Sequence, residues 1–129
     1  MSKFRIRSDE KVLLVDDDEL ILKFLNVHFE SRDFKVDVAE NGEKAIIIAQ
    51  RETPDLILLD MSMLVMPGWV TARELKMRGR TTADIPIIAV TAKTADDDEE
   101  AARKAGCDEF IAKPIDVDVL FEAVDRVLN

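Results

Sequence analysis

Asp16, Asp17, Asp60, Thr91 and Lys113 are the residues of this 129-residue chain that could do chemistry together. Each ends or follows a short apolar run of strand character. Lys11–Val15 leads into Asp16-Asp17, residues 56–59 into Asp60, residues 85–90 into Thr91, and residues 110–112 into Lys113-Pro114. In a parallel α/β sheet the carboxyl ends of the strands share one edge, and ligands bind there. The pattern therefore predicts three carboxylates, a hydroxyl and an ammonium at a common edge. Clustered carboxylates suit a hard divalent cation with oxygen ligands. A cation, a lysine and a hydroxyl together describe a pocket for a phosphoryl group. Without the cation the carboxylates repel: at an effective dielectric of roughly 20, a pair about 4 Å apart costs about 4 kcal/mol. At least one of them should then have a raised pKa.

The elements that carry these residues follow from periodicity. The first strand is Lys11–Val15, and a helix is predicted over residues 19–31 with Leu20, Ile21, Phe24, Leu25 and Phe29 on one stripe. Asp18 suits the cap of that helix. Phe34, Val36 and Val38 alternate as a strand does. Asn41-Gly42 is a turn leading into a helix with Ala45, Ile46 and Ala49 inside, stopped by Thr53-Pro54-Asp55. Residues 56–59 are continuously apolar, as expected of a strand covered on both faces. A loop from Met61 to Gly68 precedes a helix over residues 69–77, and residues 85–90 form the fourth strand. The next helix, about 95–105, is apolar only through Ala101, Ala102 and Ala105, with Gly106 placed to cap it. Glu109–Ala112 is a short fifth strand. The last helix puts Val117, Leu120, Phe121, Val124, Val127 and Leu128 on one face. Five strand–helix repeats predict an α/β doubly wound parallel sheet with right-handed crossovers and no second domain.

Composition narrows the function classes. The chain is 47% hydrophobic and 35% charged, a globular balance. A net charge of −9 argues against nonspecific nucleic-acid binding and against a polybasic membrane anchor. One cysteine, Cys107, rules out an internal disulfide and suits a reducing compartment. No apolar run approaches the roughly 20 residues of a membrane span, and residues 1–10 have no signal-peptide core. A cytoplasmic location is the expectation.

The stretches Val-Leu-Leu-Val-Asp-Asp-Asp, Pro-Asp-Leu-Ile-Leu-Leu-Asp-Met-Ser-Met, Ile-Pro-Ile-Ile-Ala-Val-Thr-Ala and Ala-Gly-Cys-Asp-Glu-Phe-Ile-Ala-Lys-Pro occur in that order. In this the chain resembles the receiver domains of two-component response regulators over residues 11–128, nearly its whole length. Several motifs in the right order and separation are specific where one alone is not. The resemblance implies a flavodoxin-like (βα)5 fold of strand order 2-1-3-4-5, with residues 1–10 as a lead-in and 11–129 as the receiver domain. It implies Asp60 as phosphoacceptor, taking a phosphoryl group from a sensor histidine kinase or a histidine phosphotransfer protein. It implies Mg²⁺, or Mn²⁺, held by Asp17, Asp60 and the Ser62 backbone carbonyl, with Asp16 acting mainly through a water. Thr91 and Lys113 would contact the phosphoryl oxygens, and the small Ala92 would leave them room. Thr91 and Phe110 would be the switch, reshaping the face formed by the fourth helix, fifth strand and fifth helix for a downstream protein partner. Ser62 and Lys93 occupy positions that tune hydrolysis in the family. A cis Lys113–Pro114 bond is expected.

The chain departs from the family pattern after the phosphoacceptor. The common Met-Pro-x-Met-Asp-Gly reads Met63-Leu64-Val65-Met66-Pro67-Gly68 here. Leu64 relaxes the backbone where proline is usual, and Pro67 fixes φ and removes an N–H. Two alternatives remain: a pseudo-receiver that only binds, and a Mg²⁺-dependent aspartyl-phosphate phosphatase. The phosphatase class wants an aspartate where Ser62 stands. A signalling domain, not a turnover enzyme, is expected. Since the sequence stops after the fifth helix, output by protein–protein contact is expected, though an excised receiver would look the same. Simpler roles suit the remaining candidates. Residues 96–100 would be a solvated first helical turn, His28 a surface or rim residue, Cys107 a small buried residue, and Trp69 a packing residue or partner anchor.

Overall fold

The computed structural model describes residues 10–92 and 96–129. Five strands and five helices alternate: β1 (Lys11–Val15), α1 (Glu19–Glu30), β2 (Lys35–Ala39), α2 (Gly42–Glu52), β3 (Leu56–Asp60), α3 (Gly68–Leu75), β4 (Ile87–Thr91), α4 (Asp96–Lys104), β5 (Glu109–Ala112) and α5 (Val117–Leu128). The strands form one parallel sheet of order β2-β1-β3-β4-β5. This is the flavodoxin-like doubly wound arrangement that the resemblance implied.

Alternate residues of the central strands point to opposite faces, and each face has its own core. Leu13, Ile57, Leu59, Ile87 and Ala89 pack under α2, α3 and α4 against Ala45, Ala49, Ala72, Leu75 and Ala102. Val12, Leu14, Leu56, Leu58 and Ile88 pack under α1 and α5 against Leu25, Phe29, Leu120 and Phe121. Burial on both sides explains why β3 reads as an unbroken apolar run; all five of its residues are buried, Asp60 included.

Several boundaries have local causes. Asp18, Asn41 and Asp116 cap their helices, accepting from the N–H groups of Leu20, Lys44 and Asp118. Gly106 takes φ of +99° after α4. There the N–H of Cys107 reaches Ala102 O and that of Gly106 reaches Arg103 O, a Schellman closure. The fourth strand begins at Ile87 and not at residue 85, because Pro86 lacks an N–H for the ladder, and it runs on to Thr91. The third helix stops at Leu75 and leaves Met77 exposed.

The inner face of α1 differs from expectation. Leu22, Leu25 and Phe29 are buried, while Leu20 is 74% and Phe24 41% exposed. Val38 on the edge strand β2 is also exposed, past the point where Phe34 and Val36 pack against α1 and α5.

Candidate functional site

The carboxyl ends of β1, β3 and β5 open onto one cleft of about 480 Å³, lined by Asp16, Asp17, Asp60, Ser62 and Lys113 among others. Asp16, Asp17 and Asp60 each offer a carboxylate oxygen, and these oxygens lie within 4.8 Å of one another. β1 and β3 are hydrogen-bonded neighbours, so two chain segments far apart in sequence deliver their acids to one point. Asp16 and Asp60 are buried and Asp17 is exposed.

Local hydrogen bonds orient the three acids. Asp16 Oδ1 accepts from the Asp18 N–H at 2.8 Å. Asp60 Oδ1 accepts from the Ser62 N–H at 3.1 Å and from Lys113 Nζ at 2.9 Å. Asp17 Oδ2 accepts from the Leu64 N–H at 3.1 Å, across 47 positions of sequence. The Lys113–Pro114 peptide is cis.

Burial pushes the Asp16 carboxyl up to about 6 and the charges of Asp60 and Asp17 push the same way, against the Asp18 N–H and Lys113. Burial pulls the Lys113 ammonium down, but its hydrogen bond to Asp60 and the charges of Asp60, Asp16 and Asp17 outweigh this, and its pKa is raised. The site thus holds more negative charge than it neutralises. Its donors are all hard oxygens, a set that fits Mg²⁺ or Mn²⁺ and would leave most of such an ion's shell to water.

Thr91, at the end of β4, is 5% exposed, and its hydroxyl donates to Ile111 O at 3.4 Å and not to Asp60. Ala92 follows it, half-buried. Phe110 is half-buried against the α2–α4 core, with the Arg103 guanidinium 4.7 Å from its ring centroid. Lys93 lies outside the described residues, as do the side chains of the first two of the acidic residues 96–100. His28 stacks edge-on to Phe24 on α1, a residue at the rim of the cleft, but does not itself line it. Trp69 packs against the core beside Arg73. Cys107 is buried, and burial raises its thiol to about 12, which makes it inert at neutral pH.

Gly68 carries a role that strand-end reasoning does not find. A Cβ there would sit 2.2 Å from the Asp60 carbonyl oxygen and 2.7 Å from Met61 Cα. Only glycine lets α3 begin directly against the backbone of Asp60. Pro67, in front of it, provides no side-chain cap to α3.

A five-stranded 2-1-3-4-5 sheet with an acidic cluster and a lysine at its carboxyl edge defines a class of protein, and sequence comparison gives that class its name. The profile of the response regulator receiver domain matches residues 12–125, and the chain belongs to this family. It is 31% identical over 118 residues to Protein PilH of Pseudomonas aeruginosa, spanning 92% of this chain and 97% of PilH. It is 34% identical over 118 residues to the transcriptional regulatory protein GlrR of Escherichia coli, but spans only 26% of GlrR. Among solved structures, the receiver domain of the sensor histidine kinase PA1611 from Pseudomonas aeruginosa matches with a TM-score of 0.84 at 28% identity. The match covers 93% of this chain and 98% of that one, which is described with magnesium coordinated in its active site cleft.

Proposed function

We propose that this chain is a phospho-accepting receiver, in which Asp60 takes a phosphoryl group from a phosphohistidine on a sensor kinase or phosphotransfer protein. The observation that carries this is the meeting of Asp16, Asp17 and Asp60 within 4.8 Å, with Lys113 Nζ 2.9 Å from Asp60. Asp17, Asp60 and the Ser62 carbonyl would hold Mg²⁺, with Asp16 reaching it through water. When bound, the ion supplies positive charge to the carboxylates and the phosphoryl oxygens.

A carboxylate oxygen of Asp60 attacks phosphorus in line. The P–O bond forms as the P–N bond breaks, and the electron pair leaves on the imidazole nitrogen, which takes a proton. Positioning and charge neutralisation dominate such a transfer. Lys113 moves from the Asp60 carboxylate to an equatorial phosphoryl oxygen. Thr91 gives up Ile111 and donates to another, and Phe110 turns inward behind it. The α4-β5-α5 face then changes shape for a protein partner. Water later hydrolyses the acyl phosphate, and the chain acts as a signalling domain rather than a turnover enzyme, with the cytoplasm as its proposed location. Among the described residues, no helix is long and apolar enough to cross a membrane.

Acetyl phosphate or phosphoramidate with Mg²⁺, read by intact mass, tests the proposal. Wild type should gain the mass of one phosphoryl group and Asp60→Asn should not. No adduct on wild type refutes the function, and an adduct on Asp60→Asn refutes the site.

A further inference from the structure

The β3–α3 loop meets the acidic cluster through a backbone group. Leu64 is 92% exposed and Val65 84% exposed, so neither side chain anchors the loop. The Leu64 N–H nevertheless donates to Asp17 Oδ2 at 3.1 Å. Asp17 is the exposed member of the cluster, whereas Asp16 and Asp60 are buried. Asp16 is oriented by the Asp18 N–H and Asp60 by Ser62 and Lys113. Among the described residues Asp17 accepts no other hydrogen bond.

We infer that the Leu64 backbone amide is a positioning group for the metal: it fixes the Asp17 carboxylate through Oδ2 and leaves Oδ1 free to ligate the divalent cation. A carboxylate with two oxygens can accept from an N–H on one and bind an ion with the other. Partners of this kind orient ligands, and losing one typically weakens metal binding about 10–100-fold. A proline at position 64 would have no N–H to give. This chain's leucine therefore matters for its amide and not for its side chain.

The inference rests on the proposed Mg²⁺ site, and the experiment separates the two. Mg²⁺ is titrated into the full chain and followed by ¹H–¹⁵N NMR, with no phosphoryl donor present. Two changes at position 64 remove the N–H: Leu64→Pro, and a backbone ester made by incorporating the α-hydroxy analogue of leucine. The ester leaves the side chain and avoids the proline ring, so it reports even if the proline distorts the loop. Val65→Ala controls for the loop. The expected result is a Kd for Mg²⁺ raised about 10-fold or more by the ester and unchanged by Val65→Ala. The Leu64 amide of wild type should also stay protected from exchange when Mg²⁺ is bound. An ester Kd equal to or below that of wild type overturns the inference, as does loss of Leu64 protection on binding. A wild type that binds no Mg²⁺ overturns the site itself.

Discussion

Replacing Asp16 with asparagine should make the metal-free protein more stable. The folded protein raises this carboxyl from 3.8 to about 6, chiefly by burial. Between those two values the folded chain binds more protons at Asp16 than the unfolded chain does, so stability falls as pH rises through the interval and then levels off. At neutral pH the full penalty applies. Roughly two units at about 1.4 kcal/mol each set a ceiling of ~3 kcal/mol. The cleft in front of Asp16 is open to water, which screens the penalty, so a gain of ~1–2 kcal/mol is expected for Asp16→Asn. The amide oxygen of asparagine can still accept from the Asp18 N–H, which now meets Asp16 at 2.8 Å. In a thermal melt of a domain this size the gain corresponds to roughly 3–8 °C. The melts are run with EDTA at pH 7.5 and pH 4, then with saturating Mg²⁺ at pH 7.5. The advantage should be present at pH 7.5, nearly absent at pH 4, and narrowed or reversed by Mg²⁺, which stabilises wild type more. A variant no more stable than wild type at pH 7.5, or one whose gain persists undiminished at pH 4, refutes the electrostatic argument.

Gly68→Ala should cost several kcal/mol, about 2–4, because its Cβ would meet the Asp60 carbonyl oxygen at 2.2 Å, and a backbone atom cannot rotate away; urea unfolding measures it. Lys113→Met should slow phosphorylation by acetyl phosphate at least about 10-fold, while Mg²⁺ still binds; an unchanged rate removes Lys113 from the chemistry. Lys93→Ala should change the lifetime of the acyl phosphate, followed by decay of the adduct in intact mass; an unaltered decay rate removes that role.

The meeting of the three acids and the lysine was legible because strand ends are. Asp60, Thr91 and Lys113 follow apolar runs whose parallel packing can be argued from the βα alternation, and the same packing gathers the ends. The strand order was not readable this way; it came from resemblance. The face of α1 was misjudged for a physical reason. Leu20, Ile21, Leu22, Phe24, Leu25, Val27 and Phe29 are all apolar, so more than one stripe satisfies helical spacing. Burial of Leu22, Leu25 and Phe29 under β1 and α5 decides between them, and only the fold supplies that. The Leu64–Asp17 bond was invisible because a backbone N–H has no residue signature, although the departure from the family pattern marked the place. The pairing of the Thr91 hydroxyl with Ile111 is likewise a rotamer choice that spacing does not reveal.

That pairing bears on how the proposed switch would be driven. With all acids ionised, three carboxylates and one ammonium leave the cleft at about two negative charges, which a divalent cation cancels. Phosphorylation would replace the single charge of Asp60 with a group of nearly two, and the balance would turn negative again. Lys113 is already committed to position 60. A weakly held donor on the neighbouring strand is the Thr91 hydroxyl, whose bond to Ile111 O is long at 3.4 Å. A neutral hydrogen bond nets about 1 kcal/mol, and one to a charged acceptor about 1.5–3, so exchanging the former for the latter is downhill. The roughly 0.5–2 kcal/mol released falls short of the ~5.5 that a complete switch needs. In the proposed switch Phe110 would add to this, by trading its contact with Arg103 on α4 for burial in the space Thr91 vacates. Thr91→Val, which keeps the shape and removes the donor, should therefore phosphorylate on Asp60 yet leave the environment of Phe110 unchanged by ¹⁹F NMR of a fluorophenylalanine-labelled chain. A Phe110 signal that shifts in Thr91→Val as it does in wild type would break the link between the hydroxyl and the ring.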